Sequence, residues 1–242
     1  PDLTAAALVP ADGLMLLAAH VSRARTLTEW LDASIIDEAH PERRDRSLDL
    51  YDREGPARPP YAADFLQRYR AAQEARNRRI TAWVKERLAT LRSEGRPHDE
   101  HCFVVHGTMA DPRWLDPAVD PNDRRPGWCF LGDPRVVNNS PVGLARFCSL
   151  RSWLSQWSLD DSNADSLAAL RRVTVPVLVV ANSADDAATP SHAQRMFDAV
   201  GHDRRQKEEI KGANHYYFGQ PQEALAATDV VRGWLEKLDL AG

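Results

Sequence analysis

The last third of the chain alternates predicted strands with predicted helices, and this order constrains the fold more than any other feature of the sequence. Residues 173–180 are rich in β-branched side chains and predict a buried strand, and residues 207–210 predict a second, shorter strand. Helices are predicted over residues 190–200 and residues 221–238. Such alternation predicts an α/β fold, in which right-handed crossovers join the strands of a parallel sheet.

Acidic and histidine side chains follow both of these strands. Asp185 and Asp186 lie in the loop after the first strand, and His215 lies in the turn after the second. Because reactive groups gather at the carboxyl ends of the strands in a parallel sheet, we expect these side chains to form a site. Residues 13–19 are a short, continuous apolar run and predict one more buried strand.

Two motifs in this region resemble the α/β-hydrolase superfamily. They are VPVLVVANSADDAATP at residues 175–190 and IKGANHYY at residues 210–217. In that family an acid follows the seventh strand and a histidine follows the eighth, both after the nucleophile in the chain. The resemblance implies the C-terminal part of an α/β-hydrolase parallel sheet, with a large, mainly helical cap insertion.

The resemblance also implies a role for each site residue. His215 would be the base that takes a proton from a serine nucleophile, and an aspartate would hold its imidazole in the right tautomer. The family usually has Gly-x-x-Asp after this strand, and the position of Asn182 at the glycine then indicates Asp185. The usual spacing from the acid to the following proline instead indicates Asp186, four residues before Pro190. We take Asp185 as the preferred acid and keep Asp186 as the alternative.

The same resemblance divides the chain into three parts. Residues 1–20 would belong to the hydrolase core and carry its sixth strand, residues 21–172 would form the cap, and residues 173–242 would return to the core. Within the cap, residues 61–91 predict a long helix and residues 149–157 a short one, with Trp153 and Trp157 packed inside. The long helix also carries an arginine-rich face, which we interpret as solvated rather than as a polyanion site. Its members are Arg68, Arg70, Arg76, Arg78, Arg79 and Arg87.

The nucleophile of the family is missing from this sequence. No G-x-S-x-G motif occurs, and the resemblance places the first five strands and the nucleophile upstream of Pro1. The chain lacks an initiator Met, and its Ala-rich start resembles the tail of a helix. We therefore expect a fragment that is inactive alone and needs the N-terminal half of the same hydrolase, as a separate chain or a missing segment. A three-stranded remnant would expose the edge of its first strand.

The expected activity is that of a serine hydrolase of the esterase or amidase type, acting on a small-molecule ester or amide. The sequence does not decide the nucleophile. It could also be an aspartate, as in dehalogenases and epoxide hydrolases, or a cysteine, as in dienelactone hydrolases. A non-catalytic binding or interaction protein built on a hydrolase remnant is the alternative from a different class, with the arginine-rich helix as its surface.

A third hypothesis uses Cys102 as the nucleophile beside a nearby histidine. His98, His101 and His106 surround it in the sequence, and together the four residues imitate a metal cluster. They match no known catalytic or ligand spacing, so structural roles are favoured, and no metal or cofactor is predicted.

The composition of the chain bears on its binding partners and its location. The formal net charge of −4 does not favour nucleic acid or an anionic membrane, and no apolar run approaches the ~18 residues of a membrane helix. The start has no signal-peptide pattern, and three cysteines make a poor disulfide framework, so a cytoplasmic location is expected. Association into a homo-oligomer stays open.

Overall fold

The computed structural model describes residues 6–239 and contains a three-stranded parallel sheet beside a separate antiparallel pair. The five strands are β1 (Leu14–Leu17), β2 (Cys102–Val104), β3 (Phe147–Ser149), β4 (Val177–Asn182) and β5 (Arg205–Ile210). The parallel sheet has the order β1-β4-β5, and β2 pairs with β3. The predicted α/β class and its parallel sheet are confirmed. The Ala-rich start at residues 1–5 and the last three residues of the predicted core, 240–242, lie outside the described residues.

The segment between β1 and β4 is a large insertion whose regular structure is mainly helical. The helices of the protein are α1 (Arg23–Trp30), α2 (Ala63–Ser93), α3 (Pro112–Leu115), α4 (Pro134–Val137), α5 (Leu150–Ser152), α6 (Ser166–Leu170), α7 (Pro190–Ala199) and α8 (Pro221–Lys237). A π-helical turn, Trp153–Trp157, continues α5, so the short predicted helix is formed in two parts. The predicted long helix is α2. No helix in the described part of the chain is long and apolar enough to cross a membrane.

The two faces of the parallel sheet are covered by different helices. On one face Val177 and Val179 pack with Met196 of α7 and Leu170 of α6. On the other face Leu178 and Val180 pack against α8, chiefly against its buried tryptophan Trp234. Alternate β4 side chains therefore enter two different hydrophobic clusters, which explains why this strand is apolar from Val177 to Ala181.

The outer side of β1 lacks both a strand partner and a helix in the described residues. β1 pairs only with β4, in a register that places Met15 beside Leu178 and Leu17 beside Val180. Side chains in register on neighbouring parallel strands share a face, yet Met15 and Leu17 are 39% and 40% exposed. α8 therefore covers this face over β4 and β5 but not over β1. The free edge of the first strand agrees with the sequence-based expectation.

The interior of the insertion contains a buried arginine of α2, so the interpretation of the arginine-rich face as solvated is wrong for one of its six members. Arg76 is fully buried. Its guanidinium donates to the Glu38 carboxylate at 2.8 and 2.9 Å and to the backbone carbonyls of Asp32, His106 and Gly107. A helical period cannot distinguish a solvated arginine from one that meets carbonyl groups supplied by distant loops.

The tryptophans of the short helix lie where they were predicted. Trp153 and Trp157 are buried in the hydrophobic cluster formed by α1, α2 and β2. The indole N–H of Trp153 donates to the hydroxyl of Thr81 at 2.9 Å, so its polar atom is satisfied. Their role in this structure is to pack the insertion.

Candidate active site

Asp185 and His215 form a hydrogen-bonded pair at the carboxyl ends of neighbouring strands. Asp185 lies in the loop after β4, and His215 lies in the loop after β5. The Nδ1–H group of His215 donates to Oδ2 of Asp185 at 2.9 Å. The Asp185 side chain is fully buried and that of His215 is 11% exposed, so the pair is shielded from solvent. A carboxylate on Nδ1 leaves Nε2 as the basic nitrogen of the neutral imidazole.

The Asp185 carboxylate is held in place by the loop that carries it. Its second oxygen, Oδ1, accepts the backbone N–H groups of Ala187 and Ala188 at 2.7 and 2.8 Å. The insertion adds another contact, because the side-chain amide of Asn122 donates to the Asp185 carbonyl at 2.7 Å. Because two backbone N–H groups hold Oδ1, the carboxylate presents its other oxygen, Oδ2, to His215.

The histidine loop is tied to the end of β4 by Asn182. Its amide donates to the Asn214 carbonyl at 2.8 Å, and its oxygen accepts the Tyr217 hydroxyl at 3.0 Å. Gln220 closes the loop with a bond to the Gly212 carbonyl at 2.7 Å. The asparagine therefore holds the loop of His215 through the Asn214 carbonyl before it and the Tyr217 hydroxyl after it.

Asp186 has a different environment from its neighbour. Its backbone carbonyl accepts the indole N–H of Trp114 at 2.6 Å, and its carboxyl oxygen Oδ1 is buried without a hydrogen-bond partner in the described residues. Burial, and then the nearby charge of Asp185, raise the pKa of Asp186 to about 7. Of the two predicted acids, the structure brings Asp185 to His215 and leaves Asp186 beside the pair.

Two further histidines continue from His215, and the sequence pattern did not predict either: His20 lies against His215, and His192 lies against His20. The ring of His20, just after β1, is 5.3 Å from that of His215 and 5.4 Å from that of His192 in α7. Burial, and then neighbouring charges, lower the pKa of both His20 and His192 to about 3, so both are neutral at pH 7. His20 could have been found, because it follows a predicted strand, as the acids and His215 do.

Aromatic side chains of the insertion reach the same site. The ring of Phe130 lies 6.3 Å from that of His215 and 5.8 Å from that of Tyr216. Trp30 lies 5.8 Å from both Phe130 and His20. These residues have no sequence spacing that relates them to His215, so only the folded chain could identify them.

Buried polar contacts hold the insertion against the acid loop. Arg113 is buried and donates to the hydroxyl of Thr189 at 3.1 Å and to Glu29 at 2.6 Å. Asp120 accepts hydrogen bonds from the hydroxyls of Thr189 and Ser191. The loop that carries Asp185 is thus in contact with the insertion on one side and with β5 on the other.

In the described residues, no hydrogen bond joins a cysteine to His98, His101 or His106. Burial raises the pKa of Cys129 to about 11 and that of Cys148 to about 12, which disfavours the thiolate. Cys102 lies on β2, opposite Ser149. Within residues 6–239 no group of three or more histidine, cysteine or acidic side chains is arranged to hold a metal ion.

Comparisons with known proteins found one partial structural likeness and no sequence match. No protein-family model and no curated protein sequence matches this chain. A structural likeness exists to the protein designated non-heme bromoperoxidase BpoC from Mycobacterium tuberculosis H37Rv, with 20% sequence identity and a TM-score of 0.29. The match covers 39% of this chain and 33% of that protein, so it spans about a third of the length of the other chain. At this TM-score the likeness does not establish a shared fold.

Proposed function

We propose that this chain is the acid-and-histidine portion of a serine hydrolase that acts on ester or amide bonds. The observation that carries the proposal is the 2.9 Å bond between His215 Nδ1 and Asp185, two side chains supplied by neighbouring strand ends. In such a pair the imidazole is oriented and its tautomer is fixed, which are the requirements for general-base activation of a hydroxyl.

In the proposed reaction, Nε2 of His215 takes the proton of a serine hydroxyl as its oxygen attacks the carbonyl carbon. Asp185 accepts the Nδ1–H group throughout and stabilises the imidazolium. The imidazolium then returns the proton to the leaving alcohol or amine, and a water molecule hydrolyses the acyl intermediate by the same route. In the described residues Nε2 has no hydrogen-bond partner, so the chain's own side chains leave the base free for this role.

We further propose that the serine belongs to the N-terminal half of the same hydrolase, present as a separate chain or as a preceding segment. The support is the free edge of β1 together with the partly exposed Met15 and Leu17 beside it. A parallel strand added at this edge would satisfy the unpaired backbone groups of β1. Its carboxyl end would then lie next to His20 and His215, where a nucleophile is needed.

The insertion would act as the cap of this hydrolase. Under this proposal, residues 1–20 and 173–242 form the core and residues 21–172 form the cap, with Phe130 and Trp30 lying beside the catalytic histidine. A small-molecule ester or amide would bind between them. The three free thiols fit a reducing, cytoplasmic location.

The test is covalent labelling of the assembled protein with a fluorophosphonate, read by intact mass spectrometry. A tagged chain is isolated with its associated N-terminal portion, and label is expected on a serine outside residues 1–242. Labelling should disappear in His215→Ala and slow by on the order of 10³- to 10⁴-fold in Asp185→Asn. The exposed His98→Ala is the matched control and should label like the wild type.

An intact assembly that takes no label would contradict the hydrolase. In that case the non-catalytic interaction protein is the better reading. A label retained at full rate in His215→Ala would show that another base activates the serine.

A further inference from the structure

A cavity of about 680 Å³ lies in the insertion, away from Asp185 and His215. It opens between the end of β2, the start of β3 and the turn after α4. Its lining includes Glu42, Arg44, Val104, His106, Arg146 and Phe147. A cavity of this volume accommodates a small organic molecule.

Arg146 brings an unneutralised positive charge to this cavity. Its residue is only 9% exposed, and its guanidinium donates to the carbonyls of Val105, Asn138 and Val142. Its Nε is buried without an acceptor, and no carboxylate of the described residues lies within 4.0 Å. Three hydrogen bonds among five N–H groups leave donor capacity unused.

Unlike Arg146, the other arginines around the cavity each have a carboxylate partner. Arg44 pairs with Asp32 at 2.6 Å, and the buried Arg76 pairs with Glu38 at 2.8 Å. A guanidinium taken out of water without a counter-charge is costly, and an anion bound beside it would offset that cost.

The environment of His106 also indicates a positive electrostatic potential in the cavity. This exposed imidazole lines the cavity and forms no side-chain hydrogen bond within residues 6–239. Burial, and then the charges of Arg146 and Arg76, lower its pKa, while Glu38 acts in the opposite direction. Glu42, the acid in the lining, points into solvent and lies 3.5 Å from His40.

One wall of the cavity is apolar. Val104 of β2 and Phe147 of β3 are directly opposite each other in the antiparallel pair and therefore share a face. They are 49% and 71% exposed, which is high for large apolar side chains. The cavity thus combines a positive end with an apolar surface.

We propose that this cavity binds a small organic anion, with its carboxylate or phosphate group against Arg146 and His106 and its apolar part on Val104 and Phe147. The site is separate from the proposed hydrolase site, and it stands whether or not the chain is part of an enzyme.

The test is calorimetric titration with three aromatic probes of similar size, benzoate, phenyl phosphate and the neutral benzyl alcohol, and with inorganic phosphate, which lacks the ring. Benzoate or phenyl phosphate should bind, and the tighter of the two identifies the anionic group. Binding should weaken at least ten-fold in His106→Glu, an exposed position where folding is not at risk, and in Arg146→Gln. His98→Glu is the matched control, and His215→Ala excludes binding at the candidate active site; both should bind like the wild type.

A second readout is the ring proton signal of His106 in NMR titrations. Bound anion should move its titration midpoint to higher pH, because a negative charge favours the imidazolium. Three results would overturn the proposal. They are equal affinity for benzyl alcohol and benzoate, unchanged binding in His106→Glu, and binding of inorganic phosphate without either aromatic anion.

Discussion

The parallel sheet and the insertion bury different kinds of side chain. In the sheet, the central strand buries Val177, Leu178, Val179 and Val180, all at most 1% exposed. In the insertion, fully buried positions of α2 include Gln73, Arg76 and Asn77. The amide of Gln73 donates to the carbonyls of Glu29, Leu31 and Ala110, and that of Asn77 to the Trp157 carbonyl.

This difference has a physical consequence. Apolar burial in the sheet depends on area and tolerates small changes of geometry. In the insertion, the loops bury backbone carbonyl groups that need hydrogen-bond donors. The polar side chains of α2 supply these donors. The insertion should therefore be more sensitive to loss of one polar partner than the sheet is to loss of one aliphatic group.

The largest effect is expected from Arg76→Leu. The substitution removes all five hydrogen bonds of the buried guanidinium, and Glu38 keeps only Arg79 as a partner, so the free energy of unfolding should fall by about 4 kcal/mol. Urea unfolding at pH 7 measures it. Arg78→Leu on the same helix is the matched control, since Arg78 pairs with Asp160 at the surface, and it should change stability by less than about 1 kcal/mol. Equal losses in the two variants would remove the contrast between the regions.

Leu178→Ala tests the sheet side of the comparison. Leu178 of β4 is fully buried in the cluster that packs against α8, so the lost contacts and the remaining cavity should lower the free energy of unfolding by about 3 kcal/mol. The same urea experiment applies. A loss larger than that of Arg76→Leu would show that aliphatic burial, not the polar network, is the more sensitive element.

Asp186→Asn should reveal a pH dependence that belongs to the candidate site. The pKa of Asp186 is raised to about 7 from 3.8, so the folded protein keeps a proton that the unfolded chain has lost. Stability contributed by this group is present below pH 4 and is lost as the pH rises to about 7. About three pKa units correspond to at most ~4 kcal/mol. Residual solvent contact reduces the expected gain in Asp186→Asn at pH 8 to about 2 kcal/mol.

The measurement for Asp186→Asn is the difference in unfolding free energy between variant and wild type from pH 4 to pH 8. Variant and wild type must be compared at each pH because His20 and His192 also make stability depend on pH, with the opposite sign. Their pKa values are lowered to about 3 from 6.5, so the stability they contribute is present above pH 6.5 and lost towards pH 3. A difference that stays constant with pH would contradict the raised pKa of Asp186.

The smallest effect is expected at the junction between the regions. Ser22 accepts the backbone N–H of Arg25 at 3.3 Å and caps α1, the first helix of the insertion. Ser22→Ala should lower the unfolding free energy by about 1 kcal/mol. Ser93→Ala, at the exposed end of α2, serves as the control and should change stability by less than about 0.5 kcal/mol. If the two variants behave alike, the cap does not stabilise this junction.

The order of elements in the last third was readable from the sequence because local patterns set it. A β-branched apolar run predicted β4, and proline and glycine positions predicted the bounds of α7 to within two residues. The same patterns placed Asp185, Asp186 and His215 after strands. The contacts of Phe130 and of His192 with this site were not readable, because they join parts of the chain that are far apart in sequence.

The sequence by itself determined the α/β class, the strand and helix order and the three predicted site positions, since these follow from periodicity and from residues that end an element. The tertiary structure decided which acid meets His215, because Asp185 and Asp186 are adjacent and only the loop geometry turns one carboxyl toward the imidazole. It also decided that Arg76 is buried, since the carbonyls it satisfies come from loops distant in the chain. Helical spacing predicts the face of the helix on which a side chain lies, but it does not predict the residues that the side chain will contact.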